Sequence, residues 1–315
     1  MNRKVVVLGG GTGMSALIRG LKEFPIDLTT IVSVCDDGKS TGRLRNEFNI
    51  PAVGDIRRIL IALSETEPLV EQLLNYRFKT TSDLNDHTVG NIMLAASSKI
   101  TGNMSDGIEA LGKVLKLKGR VLPLTEDNVV LMGKMEDGNI VAGEHNITED
   151  RRKIIDVFYK DEPIVNESVL ESIRTADLIV LSMGSLYTSI IPNLICKKII
   201  DEIDKSHAKI VYTCNLMTQP GETDGFTVSS HIKVLNSYLG KRKIDVVIAN
   251  NGAIDLELAK KYSNLEQKDP VILDSKETKK ENVKIIGENL VTIEDNLLRH
   301  DTLKLGYHIF SLLIR

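Results

Sequence analysis

A short glycine-rich stretch near the start of the chain could bind an anion through its backbone. Residues 9–13 have the sequence GGGTG, follow an aliphatic run over 5–8, and precede apolar residues at helical spacing. This order predicts a buried parallel strand that turns directly into a helix. Such a turn presents bare N–H groups and the positive end of a helix dipole to one point, which suits a phosphate.

The same stretch matches a dinucleotide-binding pattern. Residues 11–16 fit the form G-x-G-x-x-A, and Asp36 ends the next apolar run, where an acidic residue can bind a ribose hydroxyl. Asp36 and the adjacent Asp37 could instead hold a metal-bridged phosphate, because carboxylate oxygens suit Mg²⁺. A solvated strand end, and a glycine turn without a ligand, are the alternatives.

The loop after Asp37 continues with the sequence GKST over 38–41. Lys39 could neutralise a diphosphate or point into water. The string resembles the end of a P-loop, but the glycine required five residues earlier is Ser33, which excludes a Walker A motif.

Polar loops also follow several other predicted strands. Apolar runs over 29–35, 177–181, 209–213 and 244–249 each end in residues rich in Gly, Asn, Ser or Asp. The carboxyl ends of parallel strands lie at one edge of a sheet, where ligands bind in open α/β folds. We therefore predict an α/β fold with a Rossmann-like, doubly wound, mostly parallel sheet, helices on both faces, and one composite site.

One segment interrupts this alternation. Between about 119 and 150 the pattern changes to short strand-like pieces, and Glu136–Asn139 forms a turn between the last two. We predict a small β-hairpin insertion on a single domain that spans 1–315.

Composition limits the classes of function. The 315 residues carry 40 Lys and Arg against 43 Asp and Glu, a formal charge of −3, which does not indicate a nucleic-acid or membrane surface. An apolar run long enough to span a bilayer and a signal-peptide pattern are both missing, so we expect a cytoplasmic protein. Three cysteines without a CxxC pairing indicate buried thiols.

The chain resembles the CofD-like superfamily and, within it, the gluconeogenesis factor family, over nearly its whole length. The most specific motifs are GGGTG at 9–13, DDGKSTG at 36–42, GDIR at 54–57, HTVGN at 87–91, GSLYTS at 184–189 and NLMTQPGET at 215–223. The resemblance implies a Rossmann-like sheet that binds a nucleotide or nucleotide sugar. Within the gluconeogenesis factor branch, it implies a regulator that binds UDP-sugars, notably UDP-N-acetylglucosamine, and supports cell shape and wall-precursor supply on gluconeogenic carbon sources.

Two enzymatic alternatives stay open at this point. CofD enzymes transfer a phospholactyl group from a nucleotide-diphosphate donor with a divalent metal, so the chain could be a metal-dependent transferase. Asp36, Asp37 and Asp55 would then hold Mg²⁺, although Asp55 at a helix start could simply be a cap. An NAD(P)-dependent oxidoreductase is a weaker alternative, and NAD(P) could also occupy the site as another nucleotide diphosphate. The sequence does not identify catalytic residues.

The resemblance also implies two ligand-binding residues toward the C-terminus, Tyr262 and Arg299. A tyrosine could stack on uracil, and an arginine fork suits a diphosphate, whereas rim packing and a surface ion pair are the alternatives. His87 could be a ligand or a structural donor, and Asn215 could contact a base edge or close a turn. The complete set of predicted ligand-binding residues is Gly10, Gly11, Thr12, Gly13, Asp36, Asp37, Lys39, Ser40, Thr41, His87, Asn91, Gly184, Ser185, Thr188, Asn215, Thr218, Tyr262 and Arg299. Expected partners are a nucleotide sugar or dinucleotide, a protein of amino-sugar or cell-wall metabolism, and further copies of the chain.

Overall fold

The computed structural model describes residues 2–65, 67–294 and 297–314. Its strands are β1 (Arg3–Gly9), β2 (Ile26–Val32), β3 (Arg120–Pro123), β4 (Leu131–Met135), β5 (Ile140–Ala142), β6 (Ile154–Tyr159), β7 (Leu178–Leu181), β8 (Lys209–Thr213), β9 (Val246–Asn250), β10 (Lys284–Glu288), β11 (Val291–Glu294) and β12 (Leu297–His300). Its α-helices are α1 (Gly11–Leu21), α2 (Lys39–Phe48), α3 (Gly54–Leu63), α4 (Pro68–Asn75), α5 (Val89–Thr101), α6 (Met104–Val114), α7 (Glu144–Glu149), α8 (Glu167–Arg174), α9 (Ile191–Leu194), α10 (Lys197–Lys205), α11 (Val228–Tyr238), α12 (Leu256–Glu266), α13 (Ser275–Lys280) and α14 (Thr302–Ser311). A π-helical turn, Leu186–Ile190, precedes α9.

Seven strands form the main sheet in the order β10-β9-β8-β7-β1-β2-β3. All neighbouring pairs in this sheet are parallel. Strands β1 to β3 extend the sheet in one direction and β7 to β10 in the other, so the order reverses between β1 and β7. The predicted doubly wound, Rossmann-like α/β sheet with helices on both faces is confirmed, and a crevice is expected at this reversal point.

The central strand β1 explains why the glycine turn is fixed so firmly. Residues Val5 to Leu8 are at most 2% exposed, as expected for a strand covered by helices on both faces. Its last residue, Gly9, pairs with Val32, and Leu8 pairs with Leu181. The loops after β1, β2 and β7 therefore start side by side.

The predicted insertion has different bounds in the structure. Within 119–150, only β4 and β5 form the expected antiparallel hairpin, and β6 joins β4 to complete a three-stranded sheet over 131–159. The first strand-like piece, β3, pairs with β2 in the main sheet. The prediction was wrong there because a short apolar strand has no pattern that distinguishes a sheet edge from a hairpin. The single-domain assignment for 1–315 stays a prediction.

Two further sequence expectations concern the cysteines and the membrane. Cys35, Cys196 and Cys214 are free and buried, as predicted. None of the helices in the described part of the chain combines the length and the apolar character that crossing a bilayer requires.

Candidate functional site

Two adjoining cavities lie at the carboxyl edge of the main sheet. The larger, of about 600 Å³, is bordered by the glycine turn, the loops after β7 and β8, α12, and β12. The smaller, of about 290 Å³, lies between the glycine turn, the loop after β2, the start of α3, and α7. Because both contain Gly11 and Thr12, the turn is the common wall of the two cavities.

The glycine turn has the predicted strand-turn-helix geometry. Gly11, with φ of +68°, is in the left-handed region that favours glycine, and α1 begins there. Gly13 is held close to the loop after β7, since a methyl group there would lie 2.3 Å from the carbonyl oxygen of Met183. One donor of the first turn is already used, because the Gly11 N–H donates to Asp55 Oδ2 at 2.7 Å.

Tyr262 and Arg299 both line the larger cavity, together with Thr12 and Gly13. Tyr262 is 8% exposed, and its hydroxyl accepts a hydrogen bond from the Leu298 N–H at 3.0 Å. Arg299 is exposed and donates to the neighbouring Leu298 carbonyl at 3.3 Å. Helix α12 therefore brings the predicted tyrosine, and strand β12 the predicted arginine, to the cavity that the glycine turn borders.

Asn215 has a structural role in this cavity. Its Oδ1 accepts from the Gly184 N–H at 2.9 Å, and its Nδ2 donates to the Gly184 carbonyl at 2.8 Å. The amide is therefore used in joining the loops after β7 and β8, which favours turn closure over base contact. Thr218 is similarly paired with the backbone of Asp269, at 2.7 and 2.8 Å.

The π-helical turn carries Thr188 and Ser189 and is held by a buried carboxyl group. Glu222 accepts from the Tyr187 N–H at 2.9 Å, from the Thr188 hydroxyl at 3.3 Å and from Gln219 Nε2 at 3.1 Å. Burial raises the pKa of Glu222 to about 7, although the hydrogen bonds from Tyr187 and Thr188 oppose the shift. Such turns occur often at functional sites.

Three carboxyl groups line the smaller cavity: Asp36, Asp55 and Glu144. Burial, and secondarily the nearby Asp36 and Asp55, raise the pKa of Glu144 to about 8. Burial also raises the pKa of Asp55, although Arg58, whose Nη1 lies 2.6 Å from Asp55 Oδ1, opposes the shift. At neutral pH the Glu144 carboxyl group is therefore largely protonated.

The predicted metal-binding set is not assembled as expected. Asp37 lies outside the lining of both cavities, and its Oδ1 accepts from the His145 N–H at 2.8 Å, which fixes the start of α7. Asp55 is already occupied by Gly11 and Arg58. Within the described residues, His, Cys, Asp and Glu side chains nowhere form a cluster of three or more that could hold a metal ion. Asp36, Asp37 and Asp55 therefore do not form a preformed metal site, and their role in holding Mg²⁺ under the transferase alternative stays a prediction.

Several predicted ligand-binding residues form a polar cluster behind the smaller cavity. Ser40 Oγ lies 3.0 Å from His87 Nδ1 and accepts from Asn91 Nδ2 at 3.1 Å. Burial lowers the pKa of His87, which favours a neutral structural role. Lys39 is exposed. The predicted residues that line neither cavity are Gly10, Asp37, Lys39, Ser40, Thr41, His87 and Asn91.

The predicted residues that do line a cavity come from six separate segments of the chain. They are Gly11, Thr12, Gly13, Asp36, Gly184, Ser185, Thr188, Asn215, Thr218, Tyr262 and Arg299. Their assignment as ligand contacts stays a prediction.

Comparisons with known proteins agree with this architecture. The family model described as 2-phospho-L-lactate transferase CofD matches residues 5–291. The gluconeogenesis factor of Bacillus subtilis strain 168 is 46% identical over 311 residues, which cover 98% of each chain. The chain belongs to the gluconeogenesis factor family, within the CofD group. The gluconeogenesis factor of Halalkalibacterium halodurans is 45% identical, over 98% of this chain and 96% of that protein.

Solved structures support the same assignment. Protein BH3568 from Bacillus halodurans, determined by crystallography, has a TM-score of 0.95 and 44% identity, and the match covers 98% of this chain and 100% of that one. A second crystal structure of BH3568, described as a member of the UPF0052 family, has a TM-score of 0.94. This member of the gluconeogenesis factor family therefore has the fold of those structures over almost its whole length.

Sequence reasoning missed several residues that shape the site of this family member. Arg45 is buried, and its Nη1 donates to the carbonyls of Cys35 and Asp36 at 2.9 Å, which fixes the loop after β2. Glu144 lines the smaller cavity from a helix that carries no recognisable motif. Ser189 also lines it and is the last residue of the GSLYTS motif, in which only Gly184, Ser185 and Thr188 were predicted as ligand contacts. Arg45 lies only three residues beyond the DDGKSTG stretch, so its position next to that motif was the one available signal.

Proposed function

We propose that this member of the gluconeogenesis factor family is a cytoplasmic regulatory protein that binds a UDP-sugar, with UDP-N-acetylglucosamine as the first candidate, and does not turn it over. The observation that carries the proposal is that Tyr262 and Arg299, more than 240 residues away from the glycine turn in the sequence, line the same cavity as that turn. The relatives named gluconeogenesis factor agree with a role in gluconeogenic growth.

The chemistry of the larger cavity suits a nucleoside diphosphate. The amides of Thr12 and Gly13 lie at the positive end of the α1 dipole, where a phosphate is favoured. The guanidinium of Arg299 offers a fork of donors that matches phosphate oxygens. Tyr262 presents an aromatic ring of the kind that stacks on a base, while its hydroxyl is anchored to Leu298.

Calorimetry with UDP-N-acetylglucosamine tests the proposal directly. We expect micromolar affinity for the unaltered chain and an affinity about tenfold or more weaker for Arg299→Ala, since a charge-assisted hydrogen bond is lost. Arg3→Ala is a matched control, because Arg3 is an exposed arginine at the opposite edge of the sheet. Absence of binding, or equal affinities in Arg299→Ala and the unaltered chain, would contradict the proposal.

The regulatory part of the proposal concerns cell shape and wall-precursor supply through a protein partner of amino-sugar or cell-wall metabolism. We expect the unaltered chain, but not Arg299→Ala, to restore normal shape to cells that lack their own family member and grow on a gluconeogenic carbon source. If both chains restored normal cell shape, the cellular role would not depend on ligand binding, and this part of the proposal would be wrong.

A second candidate is transfer of a phosphoester group from a nucleotide-diphosphate donor. The match to the model described as 2-phospho-L-lactate transferase CofD favours it, as do the carboxyl groups beside the glycine turn. Incubation with Mg²⁺, a nucleotide-diphosphate donor and a panel of acceptors should then release nucleoside monophosphate. If none is released while UDP-N-acetylglucosamine binds, the regulatory proposal is favoured.

A further inference from the structure

The two cavities at the carboxyl edge meet at a shared wall. Both are lined by Gly11, Thr12, Ser185 and Ser189. A diphosphate held by the glycine turn, as in the proposed function on which this inference rests, would lie at that wall. Its two substituents would then extend into different cavities.

The linings of the two cavities differ in chemistry. The larger one includes aromatic and aliphatic side chains, among them Tyr262, Met183 and Leu216. The smaller one is lined, in the described part of the chain, entirely by glycine and by hydroxyl, carboxyl and guanidinium side chains. A nucleobase favours the first environment, because its flat face gains from aromatic contact. A polyhydroxylated ring favours the second, because each hydroxyl can both donate and accept a hydrogen bond.

Ser189 offers an unused hydrogen-bonding group at the wall that the smaller cavity shares with the larger one. It is 9% exposed, yet its hydroxyl group has no hydrogen-bond partner among the described residues. The hydroxyl faces the glycine turn, since a methyl group at Gly11 would lie 3.6 Å from Ser189 Oγ. Because Ser189 lines the cavity, this hydroxyl group is available to donate a hydrogen bond to a ligand hydroxyl or to accept one from it.

We propose that the smaller cavity is the sugar subsite, in which Ser189, Glu144 and Asp36 hydrogen-bond the hydroxyl groups of the hexose of a nucleotide-diphosphate sugar. The cavity volume of about 290 Å³ corresponds to roughly ten waters of the liquid, which accommodates one pyranose ring with its hydroxyl groups. The nucleoside then occupies the larger cavity beside Tyr262.

The states of the carboxyl groups fit this assignment. Burial raises the pKa of Glu144 to about 8, so at neutral pH its carboxyl group can donate a hydrogen bond to a sugar oxygen. Asp36, whose Oδ1 accepts from the Gly38 N–H at 3.0 Å, supplies acceptor oxygens. A ring that offers both donors and acceptors matches this mixture better than a nucleobase, whose polar groups lie only on its edge.

Calorimetry with UDP, UDP-glucose and UDP-N-acetylglucosamine tests whether the sugar lies in the smaller cavity and the nucleoside in the larger one. We expect Ser189→Ala and Glu144→Ala each to weaken binding of both UDP-sugars about three- to tenfold, as a lost hydrogen bond does, with UDP binding unchanged. Glu149→Ala is the matched control, because Glu149 is exposed on the same short helix. Tyr262→Ala should weaken UDP and UDP-sugars by the same factor.

The outcomes separate this inference from the function on which it rests. If UDP and the UDP-sugars all fail to bind to the unaltered chain, the proposed function itself is wrong. If they bind but Ser189→Ala and Glu144→Ala leave the preference for UDP-sugars over UDP unchanged, only the sugar subsite is overturned. Loss of that preference in Tyr262→Ala, with UDP affinity retained, would place the sugar in the larger cavity instead. Thermal unfolding of each variant checks that it is folded.

Discussion

Replacing Glu144 by glutamine should change how the stability of the protein depends on pH. The folded chain raises the pKa of this carboxyl group from 4.5 to about 8, chiefly by burial and secondarily through Asp36 and Asp55. The folded state therefore binds a proton that the unfolded state releases, so the free energy of unfolding falls as pH rises from about 4.5 to about 8. The full shift corresponds to about 5 kcal/mol. Since Glu144 keeps some contact with solvent, we expect about 2 to 4 kcal/mol.

Denaturant unfolding at pH 5 and pH 9 measures this effect. The free energy of unfolding of the unaltered chain should fall by about 2 to 4 kcal/mol more than that of Glu144→Gln between pH 5 and pH 9. The glutamine amide does not ionise, so the variant gains stability relative to the unaltered chain over this range. Glu222, whose pKa is also raised but which is not among the groups that shift the pKa of Glu144, remains in both proteins, and its contribution cancels in the comparison. Glu149→Gln, on the exposed side of the same helix, should show no such gain. A gain below about 0.5 kcal/mol in Glu144→Gln would refute a buried carboxyl group beside Asp36 and Asp55.

Two further substitutions test how the site is held together. Gly13→Ala should lower the free energy of unfolding by about 2 kcal/mol or more, because the added methyl group would lie 2.3 Å from the Met183 carbonyl oxygen. Gly112→Ala, whose methyl group would meet only a flexible leucine side chain, should be neutral or slightly stabilising in denaturant unfolding. Arg45→Met should cost about 3 kcal/mol in the same assay, because it leaves Asn128 and several buried carbonyl oxygens without a donor. A loss below about 1 kcal/mol would show that water replaces the guanidinium.

The main sheet could be predicted because each of its strands is indicated by a short continuous stretch of sequence. A fully apolar run such as Val5–Leu8 can be stable only where both faces are covered, and the glycines after it allow only a tight turn. Repetition of that pattern identifies a doubly wound sheet and the edge at which its loops meet. The three-stranded insertion was located less well, because β3 and β4 are both short strands whose sequences do not indicate which strand each pairs with.

The site was predictable only where a single loop contains its own chemistry. The glycine turn is such a loop, and so is the end of β2 at Asp36. Whether a polar side chain faces the cavity or a neighbouring backbone depends on packing between distant loops. The side-chain amide of Asn215 has the right chemistry to bind the edge of a base. In the structure, however, both its oxygen and its nitrogen are hydrogen-bonded to the backbone of Gly184. In our proposal Glu144 binds the ligand because the insertion places it beside the glycine turn. The sequence of its own helix contains no pattern that predicts this position.

Asp55 shows why the glycine turn alone does not define the ligand position. The Gly11 N–H, which a simple anion site would offer to a phosphate, is donated to Asp55 at 2.7 Å. An ionised carboxylate there would repel a diphosphate, and burial counters this by raising the pKa of Asp55 toward the neutral form. The amides of Thr12 and Gly13 follow in the first turn of α1, and Gly13 lines only the larger cavity, which it shares with Arg299. The diphosphate is therefore best placed toward the larger cavity, which leaves the carboxyl groups of the smaller cavity to neutral hydroxyl groups.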